Sequence, residues 1–198
     1  MKRIVVLGCG LVGGVMVRDL SRDEGIEVTV ADVSEKNLAS VAGLPRVKSE
    51  RADLADGATI DRLVKDADCV VGAVPGRIGF AMLRKVIEAG KPISDISFAP
   101  EDAMQLDDLA RSRGVTAVVD CGVSPGLSNL AIGRAVAMLD TVDSVTIFVG
   151  GLPVPRLWPF EYRSVFSPTD VIEEYTRPAR LIENGQVVIR EALSEVEL

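Results

Sequence analysis

A chain of 198 residues has room for one full domain, or for one domain and part of a second. Its hydrophobic content of 47% and charged content of 26% are those of a globular protein, which excludes a disordered or collagen-like chain. The 22 basic and 29 acidic residues give a net charge of −7, which argues against a nucleic-acid partner. The sequence contains no histidine, so the usual metal ligand and the usual general base are both missing, and no metal site is expected.

The charge is unevenly distributed along the chain. Residues 1–100 carry 14 basic and 14 acidic side chains, whereas residues 101–198 carry 8 and 15 and no lysine. The second part is therefore expected to favour cationic small molecules. Three cysteines without a CxxC pair favour a reducing compartment. The apolar run near the N-terminus is too short to span a bilayer, so a cytoplasmic protein without a membrane partner is expected.

Short apolar runs alternate with amphipathic stretches, which is typical of a parallel sheet with crossover helices. Strands are predicted at 3–7, 27–31, 47–52, 69–74, 92–98 and 115–119. The helices between them are predicted over 12–20, from the cap Ser34 to about residue 42, and over 57–66, 79–89 and 100–113. Six strands within 119 residues predict an α/β domain with a doubly wound parallel sheet, assigned to residues 1–122.

The pattern changes in residues 123–198. A helix from 124 to about 139, a strand over 144–149 and a hairpin over 179–190 around Asn184-Gly185 are predicted. One helix and about three strands cannot bury a sheet on both faces, so this part is expected to be a partial, mixed α/β substrate domain. Leu198 is then not expected to be its natural end. Apolar surface left open in this way tends to be covered by association, so a homodimer is expected.

The segment Gly8-Cys9-Gly10-Leu11-Val12-Gly13 matches GxGxxG directly after a predicted strand and at the start of a helix. In that context the glycines allow a tight turn and a close approach of the backbone to a pyrophosphate. Asp32 lies 19 residues beyond Gly13, where a carboxylate accepts hydrogen bonds from a ribose 2′-OH and repels a 2′-phosphate. NAD is therefore predicted over NADP. The alternative is a structural glycine turn with Asp32 as a helix cap.

Two further strand ends are expected beside the cofactor. Residues 73–76 end the fourth strand and are expected to flank the nicotinamide ribose, the alternative being a plain strand-terminating turn. Asp53 ends the third predicted strand and is expected near the adenine, with a solvated loop acid as an equal alternative. The predicted cofactor-binding residues are Gly8, Gly10, Leu11, Val12, Gly13, Asp32, Asp53, Ala73, Val74 and Pro75.

Five further segments stand out: VVGAVPGRIGF at 70–80, ISDISFAPED at 93–102, DCGVSPGLSNLAIGR at 120–134, VGGLPVP at 149–155 and SPTDVIEEYTRPARLIENGQV at 167–187. They resemble the saccharopine dehydrogenase family, most closely its lysine dehydrogenase branch. The resemblance implies an N-terminal Rossmann domain and a mixed α/β substrate domain, in chains that run well beyond this length. It also implies NAD(P)-dependent chemistry at a carbon–nitrogen bond. In the lysine branch, the ε-carbon of L-lysine is oxidised to an imine, which water opens with release of ammonia.

Such chemistry needs a group that takes a proton from the amine. Asp95 and Asp120 end the fifth and sixth predicted strands, at the edge where open α/β sheets bind ligands, and are the candidate catalytic residues, with Asp95 as the first choice and Asp120 as the second. The alternative is that each caps a following turn or helix. An arginine fork suits the α-carboxylate of an amino acid. The candidate substrate-binding residues are Arg77, Tyr162, Arg177 and Arg180, for which surface ion pairs or core packing are the alternatives.

The leading interpretation is an NAD-dependent oxidoreductase that removes the ε-amino group of L-lysine by oxidation. Its substrate would then be a small, cationic amino acid. A second interpretation is a saccharopine-type dehydrogenase, whose substrate carries additional carboxylates and needs more arginine. The acidic second part of the chain favours the simpler cationic substrate. A third interpretation is a non-catalytic dinucleotide-binding fragment.

Overall fold

The computed structural model describes residues 1–164 and 166–194. The chain divides into two compact units, Met1–Gly151 and Leu152–Leu198, and each is described by itself.

The first unit is built on a six-stranded parallel sheet. Its strands are β1 (Lys2–Leu7), β2 (Ile26–Asp32), β3 (Val47–Arg51), β4 (Cys69–Gly72), β5 (Ile93–Asp95) and β6 (Ala117–Val118). They lie in the order β3-β2-β1-β4-β5-β6, and every neighbouring pair is parallel. This is the strand order of the doubly wound Rossmann fold, which confirms the predicted fold class.

Helices connect the strands across both faces of the sheet. They are α1 (Gly13–Leu20), α2 (Glu35–Ala39), α3 (Gly57–Val64), α4 (Gly76–Glu88) and α5 (Asp107–Arg113), the last preceded by a 3₁₀ turn over Ala103–Leu106. Local capping explains several of these boundaries. The Ser34 hydroxyl accepts a hydrogen bond from the amide of Asn37, and the Asp56 carboxylate accepts from two amides of α3. Gly114 ends α5 in the left-handed conformation, with φ of 64°.

Aliphatic side chains fill the two cores of the sheet, as the low aromatic content of 4% requires. Successive residues of a strand point to opposite faces, so Val6 and Leu7 of β1 enter different cores. The Leu7 core includes side chains from α3 and α4, and the Val6 core includes side chains from α1 and α2. Because both faces are covered, the ligand-accessible part of the sheet is the side on which all the parallel strands have their carboxyl ends, here called the carboxyl edge.

Three predicted elements of the first unit are shorter in the structure. The strand predicted over 92–98 ends at Asp95, because the side chain and amide of Ser97 both bond to the Asp95 carboxylate and turn the chain out of the sheet. The strand predicted over 115–119 pairs at only two residues. The helix predicted from residue 100 begins instead at the 3₁₀ turn, because the Asp102 carboxylate caps it through the amide of Met104.

The segment after β6 departs furthest from the sequence-based expectation. Helix α6 covers Leu127–Val136, rather than residues 124 to 139. The strand predicted over 144–149 is wrong, because these residues carry no regular structure and Phe148 is 94% exposed. An apolar run becomes a strand only when a neighbouring strand satisfies its backbone, and none of the described strands pairs with this segment.

The second unit contains α7 (Pro168–Thr176) and an antiparallel hairpin of β7 (Ala179–Glu183) and β8 (Gln186–Arg190). The hairpin confirms the prediction made from Asn184-Gly185. Both turn residues have positive φ, 50° and 76°, which is the requirement of a type I′ turn. Across the described ranges of both units, no helix is both long and apolar enough to cross a membrane.

Candidate functional site

The glycine-rich loop joins β1 to α1, and packing requires its first and third glycines. Gly8 has φ of +103°, and a Cβ on this residue would collide with the backbone oxygen of Ala73. A Cβ on Gly13 would collide with the backbone oxygen of Gly8. Neither obstacle can rotate away, because both are main-chain atoms. These two glycines therefore let β1, the end of β4 and the start of α1 lie in close contact.

The second glycine, Gly10, is not required by packing against the protein. A Cβ on Gly10 would meet no atom of the described residues within 4 Å. Beside it, Leu11 and Val12 are 66% and 37% exposed, and no side chain of the described residues caps the N-terminus of α1. Open space in front of a glycine, next to uncapped amides at a helix N-terminus, is the arrangement that receives a pyrophosphate. The loop therefore fits a dinucleotide.

The Asp32 carboxylate lies at the end of β2 and faces this loop. Its Oδ2 accepts a hydrogen bond of 2.7 Å from the amide of Cys9, and its Oδ1 accepts one of 2.7 Å from the amide of Ser34. The Asn37 side-chain amide lies at 3.4 and 3.5 Å from the two oxygens. A carboxylate has about four acceptor positions, and the contacts with Asn37 are long, so Asp32 retains capacity for ribose hydroxyls.

Asp32 also influences the cysteine within the loop. Cys9 is buried, and burial raises the pKa of its thiol, with the negative charge of Asp32 raising it further. The thiol therefore stays protonated near neutral pH and packs between the loop and α2, where its sulfur lies 3.5 Å from the carbonyl of Asn37.

The other predicted cofactor residues lie at the same edge of the sheet. Ala73 directly follows β4 and donates its amide to Leu7, while Val74 is buried and Pro75 is exposed at the start of α4. Asp53 follows β3, and its exposed carboxylate accepts from the amide of Ala55 within a turn. Their contacts with a cofactor stay predictions.

Asp95 is buried at the end of β5, with only 3% of its surface exposed. Its Oδ1 accepts hydrogen bonds from the Ser97 hydroxyl at 2.8 Å and the Ser97 amide at 3.2 Å. Burial raises the pKa of the Asp95 carboxyl, the bonds from Ser97 oppose that rise, and the charge of Asp120 adds to it. A Cβ on Gly72 would collide with the Asp95 carboxylate, so this glycine makes room for it beside β4.

Asp120 follows β6 and is exposed, in contrast to Asp95. Its φ of 56° is in the left-handed region, which is uncommon for a residue other than glycine. The next amide, that of Cys121, donates to the carbonyl oxygen of Asp95 at 3.0 Å and holds the two acidic residues at one edge. The structure thus brings together the two predicted catalytic residues, one beneath the surface and one on it.

The four predicted substrate-binding residues are divided between the two units. Arg77 is exposed near the start of α4 in the first unit. In the second unit, Arg177 pairs with Glu173 at 3.0 Å across one turn, Arg180 is an exposed residue of β7, and Tyr162 is 43% exposed. Their roles toward a substrate stay predictions.

Sequence reasoning missed Arg51, which lies beside Asp32, the acid predicted to bind the ribose. Arg51 is the register partner of Asp32 in the parallel pairing of β2 and β3. Its Nη1 donates to Glu35 at 3.0 Å, and its Nε donates to the carbonyl oxygen of Val33 at 3.3 Å. The glycine-loop motif does not predict this neighbour, because Arg51 is brought beside Asp32 by the pairing of β2 with β3 and the motif specifies no residue in β3. In the described part of the chain, no group of three or more histidine, cysteine or acidic residues could hold a metal ion.

The sheet order, the open space before Gly10 and the acid at the end of β2 define a dinucleotide-binding domain. Two family models then match almost the whole chain. One, described as the saccharopine dehydrogenase NADP binding domain, covers residues 4–118, and the saccharopine dehydrogenase C-terminal domain covers residues 122–197. The chain belongs to the saccharopine dehydrogenase family, which confirms the resemblance seen in its segments.

Curated relatives agree with this family assignment. The chain is 26% identical over 194 residues to the mitochondrial alpha-aminoadipic semialdehyde synthase of Mus musculus, covering 94% of this chain and 21% of that protein. It is also 26% identical over 195 residues to the saccharopine dehydrogenase [NADP(+), L-glutamate-forming] of Schizosaccharomyces pombe, covering 95% and 43%. A 2,4-diaminopentanoate dehydrogenase of Acetoanaerobium sticklandii is 29% identical over 141 residues, covering 63% and 39%.

The fold agrees as well. The saccharopine dehydrogenase (L-Glu forming) of Saccharomyces cerevisiae superposes with a TM-score of 0.75 at 21% identity, covering 96% of this chain and 44% of that one. The chain thus spans less than half the length of each of these relatives.

Proposed function

We propose that this chain belongs to an NAD-dependent dehydrogenase that oxidatively deaminates the ε-amino group of L-lysine. The observation that carries the proposal is the position of two acidic residues, Asp95 and Asp120, at the carboxyl edge of the sheet. The glycine loop that fits a dinucleotide opens at this same edge. A cationic amine is attracted to such an edge, and the chain offers no histidine to take its proton.

The choice of NAD rests on Asp32. The matching family model is described as NADP binding, and the relative in Schizosaccharomyces pombe is named for NADP(+). In this chain a buried carboxylate stands at the end of β2, where it accepts hydrogen bonds from a ribose diol and repels a 2′-phosphate. Local chemistry thus favours NAD, although the family model and this relative are named for NADP.

The chemistry divides between the cofactor and the residues of the chain. When bound, the nicotinamide accepts the hydride that leaves the carbon bearing the amine. The amine must first lose a proton, because an ammonium has no free electron pair to assist the departure of hydride. Water then adds to the resulting imine, and the carbon–nitrogen bond breaks with release of ammonia and formation of an aldehyde.

We assign the two acidic residues different parts in this proton handling. The exposed Asp120 contacts the substrate ammonium and accepts its proton. Asp95 lies beneath it, and burial raises the pKa of its carboxyl toward the range of a useful base. The sequence places Asp95 first as the proton acceptor, but only 3% of the surface of this residue is exposed, so direct contact with a substrate requires its carboxyl to open toward the edge. We therefore place Asp120 first and Asp95 second.

The remaining functional assignments are proposals of the same kind. Arg77 lies exposed near the start of α4, which follows β4 at the carboxyl edge, and is proposed to bind the α-carboxylate of the substrate. In the second unit, Arg177, Arg180 and Tyr162 are the proposed substrate-binding residues. The partition into a cofactor domain over 1–122 and a substrate domain over 123–198 is proposed to match these roles. We also propose a homodimer in the cytoplasm.

A second candidate is a saccharopine-type dehydrogenase, which the names of the matching family models and relatives favour. Its substrate joins two amino acids and carries more carboxylates than lysine. The 8 basic against 15 acidic residues in 101–198 argue for the smaller, cationic substrate. A non-catalytic dinucleotide-binding module is the third candidate.

Initial-rate measurements on the complete product of the gene that encodes this sequence separate the three candidates. NADH formation is followed at 340 nm with L-lysine, with saccharopine and with neither substrate, and each measurement is repeated with NADP⁺. We expect turnover with lysine and NAD⁺. Turnover with saccharopine alone supports the second candidate, and NADH binding without turnover on either substrate supports the third.

Matched isosteric variants test the acidic residues in the same protein. Asp120→Asn is expected to lower kcat/KM for lysine by about 10²–10⁴-fold, the usual contribution of a general base, with the affinity for NADH unchanged. Asp95→Asn is its partner variant at the same edge. If Asp95→Asn shows the full loss of kcat/KM while Asp120→Asn turns over lysine normally, Asp95 is the general base instead of Asp120. Normal turnover in both variants would refute the assignment of either residue.

A further inference from the structure

We propose that Arg51 is a second determinant of cofactor selectivity, a 2′-phosphate contact that Glu35 holds in check. This inference rests on the proposed binding of NAD at the glycine loop and concerns the same ribose site. The proposal gives a role to the positive charge of Arg51 beside Asp32, the acid that selects against a 2′-phosphate.

The position of Arg51 follows from the pairing of the sheet. Arg51 lies opposite Asp32 in the register of β3 and β2, and the amide of the next residue, Ala52, bonds to the backbone oxygen of Asp32 at 3.1 Å. Its guanidinium extends over the three residues that follow the acid, reaching the carbonyl of Val33 and the carboxylate of Glu35. In Rossmann domains this turn borders the 2′ position of the adenosine ribose, where an arginine accommodates a 2′-phosphate.

The present partner of Arg51 is easily exchanged. The side chains of Arg51 and Glu35 are 65% and 75% exposed, and an ion pair with this exposure contributes little stability. The contacts with Glu35 and Val33 use two of the five N–H donors of the guanidinium, and within residues 1–164 and 166–194 it makes no other hydrogen bond. A phosphate dianion offers more charge than the Glu35 carboxylate and accepts two parallel bonds from the fork.

Three charges thus govern the 2′ position. Asp32 binds the diol of NAD and repels a 2′-phosphate, Arg51 attracts that phosphate, and Glu35 competes with the phosphate for the guanidinium. Because Asp32 is fixed by the amides of Cys9 and Ser34, its repulsion persists when the phosphate arrives. The net result is a preference for NAD over NADP. Arg51 reduces the ratio of the two affinities, and Glu35 increases it.

A double-mutant cycle on this chain tests the proposal, with NADH and NADPH affinities measured by calorimetric titration. Arg51→Met is expected to lower the affinity for NADPH about five- to tenfold and to leave that for NADH unchanged. Glu35→Gln is expected to raise the NADPH affinity about two- to fourfold. In the double variant the gain from Glu35→Gln disappears, because it acts through Arg51. A gain that persists without Arg51 would mean that Glu35 acts as a simple negative charge, and would overturn the coupling.

Lys48→Met is the matched control, because it removes one positive charge from the same strand about 10 Å away and should change both affinities less than twofold. The same variants are also made in an Asp32→Ser background, where NADPH binds more strongly. In that background the effect of Arg51→Met on NADPH affinity is measurable even if the unmodified chain binds NADPH very weakly. An unmodified chain that fails to bind NADH overturns the proposed NAD site together with this inference. Intact NADH binding with no effect of Arg51→Met on NADPH in either background overturns the inference alone.

Discussion

Replacing single glycines of the loop by alanine should separate folding from cofactor binding. The added Cβ has opposite surroundings at Gly10 and Gly13. At Gly13 it collides with the backbone oxygen of Gly8, whereas at Gly10 it meets no described atom within 4 Å. The two variants therefore make the same chemical change three residues apart and are expected to differ in which property they damage.

For Gly13→Ala the loss is in stability. A contact with main-chain atoms is relieved only by moving backbone, and overpacking of this kind costs about 1–3 kcal/mol. Alanine in place of glycine returns up to about 1 kcal/mol in helix propensity, because Gly13 is the first residue of α1. At the middle of these two ranges the net loss is about 1.5 kcal/mol, which corresponds to a fall in Tm of about 3–6 °C for a unit of this size.

For Gly10→Ala the loss is in binding. The φ of Gly10 lies outside the left-handed region, so alanine is tolerated and lowers the entropy of the unfolded chain, a gain of about 0.4–1 kcal/mol. The methyl group occupies the space into which a pyrophosphate approaches the loop. Loss of one hydrogen bond to a charged group, about 1.5–3 kcal/mol, weakens NADH binding roughly 10- to 150-fold.

The assay combines thermal unfolding monitored by circular dichroism with calorimetric titration of NADH on each variant. Gly133→Ala is the matched control, since Gly133 lies in α6 and its Cβ also meets no described atom within 4 Å. It should leave NADH binding unchanged. A Gly10→Ala variant that is as stable as the unmodified chain and binds NADH equally well would refute the placement of the pyrophosphate. An unchanged Tm in Gly13→Ala would refute the packing argument.

Three further outcomes are expected. The unmodified chain should bind NADH more tightly than NADPH, and Asp32→Ala should reduce the difference in binding free energy by about 1–3 kcal/mol. Equal affinities of the unmodified chain for the two cofactors would contradict this prediction. Burial raises the folded-state pKa of Asp95 above its unfolded value, so the free energy of unfolding falls as pH rises from the unfolded pKa through the folded pKa. The side chain of Asp95→Asn still accepts the hydrogen bond from Ser97 but cannot ionise. In denaturant titrations this variant should therefore become more stable than the unmodified chain as pH rises through that window. Because Phe148 and Trp158 are 94% and 87% exposed, sedimentation at micromolar concentration should show a dimer or larger species, and a well-behaved monomer would count against it.

The fold of the first unit was accessible from sequence because its signals are local. Apolar runs of strand length, each followed by an amphipathic stretch, predicted the six strands and their crossover helices. The glycine spacing at 8, 10 and 13 and the acid at 32 predicted the cofactor edge, and Asn184-Gly185 predicted the hairpin. The strands, the helices and the hairpin depend on residues close together in the chain, whereas the acid at 32 was found because the dinucleotide-binding motif fixes its spacing from the glycine loop.

What only the tertiary structure decided depends on groups distant in the chain. Parallel pairing of β2 with β3 places Arg51 beside Asp32, and the packing of β4 against β5 buries Asp95 while leaving Asp120 on the surface. The apolar run at 144–149 has the composition of a strand yet forms none, because a strand exists only where another strand accepts its hydrogen bonds. Local preference predicts that an element can form. Whether it pairs, and which charges it brings together, is decided by the long-range contacts of the folded chain.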